Sequence, residues 1–245
     1  MNTKARTIHP ILITGASSGI GFALADLLIH QETNHLIITG RNPEKLQAAK
    51  IRLEAISTHT LVDTLICDQS KKDDLDNLFS TFENDNSWPQ TAILNIGINF
   101  FHEYGARKLH NLTFEQIHQS INVNVTHTIY LLSNILKHMR ARKNGRIILI
   151  GSQGWLHGLP GQSLYNASKS SLVGLKNSVA NEYQHNGIFC HLIHPGVVNN
   201  PRTESLRCKH PELAASAISE YQVAEAIYGL LSIDKAADNG QEIVI

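Results

Sequence analysis

Short apolar runs alternate along this chain with longer segments in which apolar residues recur every three or four positions. The short runs predict β-strands that are buried on both faces, and the longer segments predict amphipathic helices. Such alternation is typical of an α/β fold with a doubly wound parallel sheet of the Rossmann type, flanked by helices. No repeat, linker or low-complexity stretch divides the chain, so we expect residues 1–245 to form a single domain. The predicted strands are Ile11–Thr14, His35–Thr39, Thr60–Cys67, Thr91–Asn95, Arg146–Ser152, Ile188–His194 and Glu242–Ile245, and the predicted helices are Ile20–His30, Pro43–Ser57, Ser70–Phe82, Phe114–Arg140, Ser163–Gln184 and Gln222–Ser232.

A glycine-rich turn, T-G-A-S-S-G-I-G at Thr14–Gly21, joins the first predicted strand to the first predicted helix. Gly15 permits a tight turn, and Gly19 and Gly21 let the backbone approach a ligand closely. The free N–H groups at the start of the helix suit a pyrophosphate. We therefore predict that this turn binds a dinucleotide at the first crossover of the sheet. The predicted contacts are Gly15, Ser17, Ser18, Gly19, Ile20 and Gly21.

The end of the second predicted strand indicates which dinucleotide is bound. Proteins that bind NAD carry an acidic residue about 20 positions beyond the glycines, where it contacts the ribose hydroxyls. Here the strand ends in T-G-R-N, Thr39–Asn42, without a carboxylate. The Arg41 guanidinium suits a 2′-phosphate, to which it can donate forked, charge-assisted hydrogen bonds. We predict that the cofactor is NADP(H) rather than NAD(H), selected by Arg41; the alternative is that Arg41 is a solvated loop residue before the Pro43 helix.

Polar and small residues follow three further predicted strands, at the sheet edge where ligands bind in this class of fold. Asp68 follows the third strand, where it could contact an adenine or cap the helix predicted from Ser70. Asn95 and Gly97 follow the fourth strand, along the same crevice, and Ser152 ends the fifth. Asp68, Asn95 and Gly97 therefore join the predicted cofactor site.

A tyrosine and a lysine four residues apart, Tyr165 and Lys169, lie in the helix predicted to begin at Ser163, which can cap it. This spacing places both side chains on one face of the helix. A free phenol has a pKa of about 10, and a neighbouring ammonium favours the phenolate and lowers that pKa. The pair is therefore a candidate acid/base centre. The same spacing is common on exposed helices, and Tyr104 and Lys108 repeat it in this chain.

Motifs spread over almost the whole chain form one ordered set: T-G-x-x-x-G-x-G at Thr14–Gly21, Asp68, N-x-G at Asn95–Gly97, Asn124, Ser152, Y-x-x-x-K at Tyr165–Lys169 and P-G at Pro195–Gly196. In this order the chain resembles the short-chain dehydrogenase/reductase family, in its single-domain branch. The resemblance extends the cofactor site to Tyr165, Lys169, Pro195, Gly196 and Val198.

The same resemblance implies a role for each catalytic candidate. Tyr165 is expected to be the general acid in carbonyl reduction and the base in alcohol oxidation. Ser152 is expected to hydrogen-bond to the substrate oxygen, and Lys169 to lower the pKa of the tyrosine and bind the nicotinamide ribose. Aligned to the family pattern, the segment I-N-V-N-V-T indicates Asn124, rather than Asn122, as the residue that holds a water in the proton relay.

Four positions depart from the family pattern. Leu94 and Ile96 stand where an asparagine and an alanine are usual, so we expect one contact to the cofactor to be lost and the packing beside it to be bulkier. His127 stands where a glycine is usual in the long helix, which leaves the packing of that helix open. Asn200 stands where a threonine commonly binds the nicotinamide carboxamide, and it could substitute as the hydrogen-bond partner.

The substrate is expected to contact loops beyond the strand ends, with a substrate loop near residues 197–218. The residues of these loops suggest a partly aromatic pocket for an apolar carbonyl compound, although Trp155 and Leu159 could be packing residues instead. The predicted contacts are Phe100, Phe101, His102, Gln153, Trp155, His157, Leu159 and Val197.

Two functions are compatible with these motifs. The first is an NADP(H)-dependent oxidoreductase that interconverts a carbonyl compound and an alcohol by hydride transfer. The second is a non-catalytic dinucleotide-binding sensor or scaffold with the same fold, which the fold alone does not exclude. The enzyme is favoured because a sensor needs no proton donor. The complete catalytic set comprises Asn124, Ser152, Tyr165 and Lys169.

Composition narrows the choice of partners. The 21 basic and 21 acidic residues give a formal net charge of zero, which argues against nucleic acid or an anionic membrane as a partner. No apolar run reaches the roughly 18 residues of a membrane span, and the first residues carry no secretory signal. Three dispersed cysteines are typical of a reduced, cytoplasmic protein.

The histidines and the long helices lead to two further expectations. Although the chain has 14 histidines, His191 and His194 should point to opposite faces of one strand, so we predict no metal site. The family resemblance implies a homodimer or homotetramer that packs through Phe114–Arg140 and Ser163–Gln184.

Overall fold

In this computed structural model the described residues form a seven-stranded, wholly parallel sheet. The structure describes residues 10–31, 33–95, 97–99, 105–158, 160–233 and 238–245. The strands are β1 (Ile11–Ile13), β2 (His35–Gly40), β3 (Leu61–Ile66), β4 (Thr91–Leu94), β5 (Gly145–Ile150), β6 (Ile188–His194) and β7 (Glu242–Val244).

The strand order is β3-β2-β1-β4-β5-β6-β7. The direction of winding therefore reverses between β1 and β4, and a crevice opens there at the carboxyl ends of the strands. All the predicted strands are confirmed, with ends that differ by at most two residues. The predicted fold class, a single-domain Rossmann-type sheet flanked by helices, is confirmed as well.

Six helical segments were expected, and each one is present. The short helices at Gly154–His157, Glu204–Lys209 and Pro211–Ala215 were not predicted, nor were the 3₁₀ turns at Leu109–Asn111, Gln184–Asn186 and Pro201–Thr203. The helices are α1 (Gly19–His30), α2 (Pro43–Glu54), α3 (Lys72–Asn84), α4 (Phe114–Ile121), α5 (His127–Arg142), α6 (Gly154–His157), α7 (Ser163–Tyr183), α8 (Glu204–Lys209), α9 (Pro211–Ala215) and α10 (Glu220–Leu231).

Two hydrophobic layers hold the helices against opposite faces of the sheet. One layer joins strand residues such as Ile38 and Ile193 to apolar residues of α1, α2 and α10. The other joins strand residues such as Ile147 and Leu192 to α3, α5 and α7. Because successive strand residues point to opposite faces, both sets of side chains are buried, and the strands appear in the sequence as continuous apolar runs.

The long helix predicted over Phe114–Arg140 is interrupted. One turn of π-helix, Asn122–Thr126, separates α4 from α5, so the prediction of a continuous helix is wrong there. Asn124 in this turn is buried, whereas Asn122 is half-buried. His127, at the start of α5, is also buried, and its Nδ1 lies 2.5 Å from the backbone oxygen of Gln69, so the helix packs around this histidine.

Two predicted helix starts are wrong in detail. The cap of α7 is Gln162, so Ser163 is the first residue of the helix and not its cap. The helix predicted from Ser70 begins at Lys72. Both differences lie within one turn of the predicted start, where local hydrogen bonds compete with the helix.

Three further features bear on the partners of this protein. Cys67, Cys190 and Cys208 are free thiols. No helix in the described part of the chain combines the length and the hydropathy needed to cross a membrane. Within the same residues, no group of three or more His, Cys, Asp or Glu side chains is placed to hold a metal ion.

Candidate active site

The glycine-rich turn leads from β1 into α1. Gly15 and Gly19 have φ angles of +65° and +66°, in the left-handed region that favours glycine. A Cβ at Gly21 would lie 2.7 Å from the backbone oxygen of Gly15, so the close approach of helix and turn requires glycine. Ser18 precedes α1 without a side-chain capping bond, and the first turn of α1 has no acidic residue. The first N–H groups of α1 are thus oriented to receive an anion, while Ile20 packs against the core.

Asn95 fastens this turn to β4. Its backbone N–H donates to Thr14 Oγ1 over 2.9 Å, and its side-chain Nδ2 donates to the backbone oxygen of Thr14 over 3.2 Å. The side-chain amide of Asn95 therefore helps to fix the conformation of the glycine-rich turn. On the other side, a Cβ at Gly40 would lie 3.2 Å from Ser17 Oγ, so the glycine that ends β2 lets Ser17 approach.

Arg41 and Asp68 lie at neighbouring strand ends, just beyond β2 and β3. Arg41 is exposed. Burial raises the pKa of Asp68, but hydrogen bonds from Ser70 and the positive charges of Arg41 and Lys71 bring that pKa below its usual value. Asp68 Oδ1 accepts from the N–H of Ser70 over 3.0 Å and from its hydroxyl over 2.8 Å. Asp68 thus caps this turn and not α3.

Lys169 is buried at the carboxyl end of β5, with 3% of its surface exposed. Its Nζ donates to the backbone oxygen of Ile150 over 2.8 Å. A Cβ at Gly97 would lie 2.8 Å from Cε and Nζ of this lysine, so glycine at position 97 leaves room for the ammonium. Burial lowers the pKa of Lys169 to about 8.

Asn124 connects the loop after β4 to α7. Its Oδ1 accepts from the N–H of Ile98 over 2.8 Å, and its Nδ2 donates to the backbone oxygen of Ile98 and to Ser168 Oγ, each over 2.9 Å. The side chain therefore holds the loop in place through protein partners. The water of the predicted relay stays a prediction.

The side chain of Ser152, beyond β5, lies beside that of Tyr165, in α7. Burial raises the pKa of Tyr165, whereas the neighbouring Ser152 side chain and the positive charge of Arg202 act in the opposite direction. The prediction of a lowered pKa is therefore wrong in its net direction, because burial outweighs the groups that favour the phenolate. A phenol that keeps its proton near neutral pH is suited to act as a general acid.

The turn that carries Ser152 is fastened to the end of β6. The N–H of Ser152 donates to Nδ1 of His194 over 3.3 Å, and the N–H of Gln153 donates to the backbone oxygen of Pro195 over 2.9 Å. Pro195 and Gly196 thus lie directly beside the serine. In the sequence, His194 stood out only as a candidate metal ligand. The position of His194 at the carboxyl end of a strand was the signal that could have placed it at this site.

The predicted substrate loop begins with a second capped turn. Val198 is buried and forms a bridge to Ile218. The hydroxyl of Thr203 donates to the backbone oxygen of Val198. Asn200 Oδ1 accepts from the N–H of Thr203 over 3.2 Å, which caps the 3₁₀ turn. The side chain of Asn200 is therefore engaged in a cap, which offers no support for the carboxamide contact expected from the family pattern.

Two of the predicted substrate contacts are bound within the protein. Gln153 Nε2 donates to a backbone oxygen over 2.7 Å, and Trp155 Nε1 donates to Nδ1 of His194 over 3.2 Å. This contact agrees with the alternative interpretation of Trp155 as a packing residue. His157 is exposed and Val197 is half-buried. The other positions singled out from the sequence lie outside the described residues: Ile96, Phe100, Phe101, His102, Tyr104 and Leu159.

A cleft opens beside Tyr165. Its lining combines apolar side chains, such as Leu112 and Leu164, with the polar groups of Gln162 and Arg107. The chemistry of this lining suits a molecule with an apolar body and a polar group, and the cleft must widen to admit anything much larger than a water molecule. None of the predicted substrate contacts within the described residues lines this cleft.

Comparisons with known proteins point to one family. A family model described as short chain dehydrogenase matches residues 9–210. The chain is 32% identical over 238 residues to the 3-oxoacyl-[acyl-carrier-protein] reductase FabG of Rickettsia felis, across 95% of this chain and 92% of that protein. It is 30% identical over 210 residues to a 3beta-hydroxysteroid dehydrogenase of Mediterraneibacter gnavus, across 84% of this chain and 73% of that protein. The crystal structure of levodione reductase matches with a TM-score of 0.86 at 25% identity, across 98% of this chain and 96% of that one.

Proposed function

Since the chain belongs to the short-chain dehydrogenase/reductase family, whose members are NAD(P)-dependent oxidoreductases of carbonyl compounds and alcohols, we propose that it is an NADP(H)-dependent carbonyl reductase. The observation that carries this proposal is that the side chains of Ser152 and Tyr165 lie beside each other at the carboxyl end of β5. Lys169 follows Tyr165 by one helical turn and is buried at the same strand end. A protein that only senses a dinucleotide has no need of this arrangement.

In the proposed reduction, Tyr165 donates its phenolic proton to the carbonyl oxygen of the substrate. Ser152 hydrogen-bonds to the same oxygen and stabilises the negative charge that develops there. Lys169 is cationic below its pKa of about 8 and favours the phenolate that remains on Tyr165. The dinucleotide, when bound, supplies the hydride. In alcohol oxidation the same side chains act in the reverse sense.

The residues at the crevice fit a phosphorylated dinucleotide. The glycine-rich turn offers N–H groups to the pyrophosphate, and Gly97 leaves space beside Lys169. Arg41 stands exposed at the end of β2, where the 2′-phosphate of NADP(H) is expected. The nearby carboxylate of Asp68 offsets part of the Arg41 charge, so we expect a graded preference for NADP(H) over NAD(H).

We propose that the substrate is a small carbonyl compound that enters the cleft beside Tyr165. The apolar and polar lining of that cleft supports this choice. Residues 197–218 would act as the substrate loop, because the bridge between Val198 and Ile218 closes this segment into a loop. The name of the Rickettsia relative makes a 3-oxoacyl thioester the first compound class to test.

We further propose a cytoplasmic homodimer or homotetramer that packs through α4, α5 and α7. Support comes from the exposed apolar side chains on α4 and α5, where Phe114 is 74% exposed and Ile129 is 43% exposed. Large apolar side chains that stay exposed on the helices of a monomer are candidates for burial at an interface. The free cysteines agree with a reducing compartment. Light scattering in solution gives the number of subunits.

Turnover with a panel of ketones, aldehydes, quinones and 3-oxoacyl thioesters tests the proposed function. We expect consumption of NADPH with at least one class, and a kcat/KM about tenfold higher with NADPH than with NADH, as one exposed charge-assisted contact would give. A higher kcat/KM with NADH would overturn the cofactor assignment. Binding of NADPH without turnover of any carbonyl compound would favour the dinucleotide sensor instead.

A further inference from the structure

His194, the last residue of β6, is fully buried and contacts both ends of the turn that carries Ser152. Its Nδ1 lies 3.3 Å from the backbone nitrogen of Ser152 and 3.2 Å from the indole nitrogen of Trp155. Its Nε2 lies 3.0 Å from Oε1 of Glu242, the first residue of β7. A Cβ at Gly151 would collide with Nδ1, so the ring lies directly against the backbone before the serine.

These contacts determine which ring nitrogen carries the proton. A backbone N–H and an indole N–H can only donate, so Nδ1 of His194 accepts from Ser152 and Trp155, and the proton lies on Nε2. The backbone oxygen of Ser152, 3.2 Å from Nδ1, is the competing partner that would favour a proton on that nitrogen. Such a proton would leave both donors without their acceptor and would turn a lone pair of Nε2 toward Glu242.

Glu242 is itself held by a buried lysine of α7. Lys176 Nζ lies 3.3 Å from Glu242 Oε2 and donates to the backbone oxygen of Gly240 over 2.9 Å. Lys176 is 4% exposed and follows Lys169 by seven residues, on the same face of the helix. An ionised carboxylate only accepts hydrogen bonds, so Glu242 retains the proton on Nε2 of the histidine, as carboxylates next to histidines commonly do.

We propose that His194 is a positioning residue for catalysis, which, as the Nε2–H tautomer fixed by Glu242, holds the turn from Ser152 to Trp155 and thereby directs the Ser152 hydroxyl. This inference rests on the proposed carbonyl reductase function. Ser152 Oγ also accepts from the N–H of Gly154 over 3.1 Å, so the direction of the hydroxyl depends on the conformation of this same turn. His194 acts through Ser152 and not on the substrate.

Two amide variants separate the two ring nitrogens. His194→Asn keeps an acceptor oxygen near the position of Nδ1, whereas His194→Gln places its amide near the position of Nε2. We expect kcat for carbonyl reduction to fall about tenfold or more in H194Q and to stay within about threefold of the wild type in H194N. The KM for the dinucleotide should be unchanged in both variants. An equal loss in the two variants, or a more active H194Q, would overturn the proposal.

A second buried histidine, which is paired with a half-exposed carboxylate, provides the control. His35 Nε2 lies 2.7 Å from Asp63 Oδ2 at the amino end of β2, far from the crevice. His35→Asn should lower the unfolding temperature and leave kcat unchanged. A kcat loss in H35N as large as that in H194Q would show that any disturbed buried histidine slows the enzyme, and the positioning role of His194 would fail.

The tautomer can be measured on the unmodified protein, even where a variant does not fold. Nitrogen chemical shifts of the His194 ring should show a protonated Nε2 and a bare Nδ1 at neutral pH. A proton on Nδ1 would overturn the inference. If the wild-type protein reduced no carbonyl compound, the proposed function would fail and the positioning role with it, while the tautomer would still decide whether the turn is held as described.

Discussion

Two histidines of one strand show how differently this fold uses the same side chain. His191 and His194 lie three residues apart in β6, and both are fully buried. His194, at the carboxyl end, contacts the Ser152 turn and β7 through both ring nitrogens. His191, in the middle of the strand, has no hydrogen-bond partner among the described residues. Their rings point to opposite faces of the sheet, as predicted.

The difference follows from where each residue lies along the strand. At the carboxyl end, three neighbouring backbone segments bring N–H donors and side chains together around one ring, which is the region where this class of fold binds ligands. In the middle of the sheet, the neighbours of a side chain are apolar residues of the adjacent strands and of α10. Changes at the strand end should therefore alter activity, and changes in the middle should alter stability.

The largest effect is expected at the strand end, from Tyr165→Phe. This change removes the proton donor and keeps the ring, so kcat for carbonyl reduction should fall by roughly 10²–10⁴, the range of general acid catalysis. The unfolding temperature should be unchanged. Tyr183→Phe, at the end of the same helix, should keep full activity. Steady-state kinetics on both variants decide the matter, and a Tyr165→Phe protein as active as the wild type would exclude the general-acid role.

The next largest effect is a loss of stability in acid that arises from His191. Burial, together with the positive charges of Arg146 and Lys176, lowers the pKa of His191 from 6.5 to about 4. Between pH 6.5 and about pH 4, His191 binds a proton in the unfolded chain but not in the folded chain. The contribution of His191 to the free energy of unfolding is therefore complete above pH 6.5 and is lost as the pH falls to 4. The loss amounts to about 3 kcal/mol of unfolding free energy.

His191→Leu removes the titrating group, so the variant should lack this part of the loss in acid. Urea unfolding between pH 7 and pH 4 measures it as the difference between the wild type and H191L. Carbonyl reduction at neutral pH should be the same in both proteins. Parallel pH profiles for the two proteins would show that His191 does not titrate as described. A reduced kcat in H191L would contradict the distinction between the middle and the carboxyl end of β6.

The sheet was predictable because its strands are buried on both faces and therefore form continuous apolar runs, such as Ile188–His194. The short helices α6, α8 and α9 were not, because segments of four to six residues are too short to show a helical period. The π-turn at Asn122–Thr126 escaped prediction for a related reason, since it leaves the apolar pattern of the long helix almost unchanged.

Those parts of the candidate site that lie within one local motif could be predicted from the sequence. The pair Tyr165 and Lys169 is set by one helix, and the glycine turn by one loop. The role of His194 depends on Ser152 and Glu242, which are distant in sequence and meet only through the strand order. The pKa of Tyr165 was predicted in the wrong direction because burial, the dominant cause, is a tertiary property.

A smaller effect on activity is expected from Gly97→Ala. The added Cβ would lie 2.8 Å from Cε and Nζ of Lys169, so the ammonium must move. Displacement of a catalytic group by about 1 Å can cost up to about 10²-fold, and we expect kcat to fall roughly 10-fold to 100-fold. Gly174→Ala in α7 is the control, because a Cβ there meets no described atom within 4 Å. A Gly97→Ala protein with unchanged kinetics would mean that the position of Lys169 tolerates this shift.

The smallest effect is expected from Arg41→Leu. This variant tests whether a change at the carboxyl end of β2 alters activity, as we expect at the carboxyl end of β6. Because Arg41 is exposed and the nearby Asp68 carboxylate offsets part of its charge, we expect kcat/KM with NADPH to fall only about tenfold. The value with NADH should not change. Lys45→Leu removes an exposed cation in the first turn of α2 and controls for a general loss of positive charge. Asp68→Asn should shift the ratio of the two kcat/KM values toward NADPH, because it removes the charge that opposes Arg41. If Arg41→Leu left that ratio unchanged, Arg41 would be a solvated loop residue, and the functional edge of the sheet would end at β1.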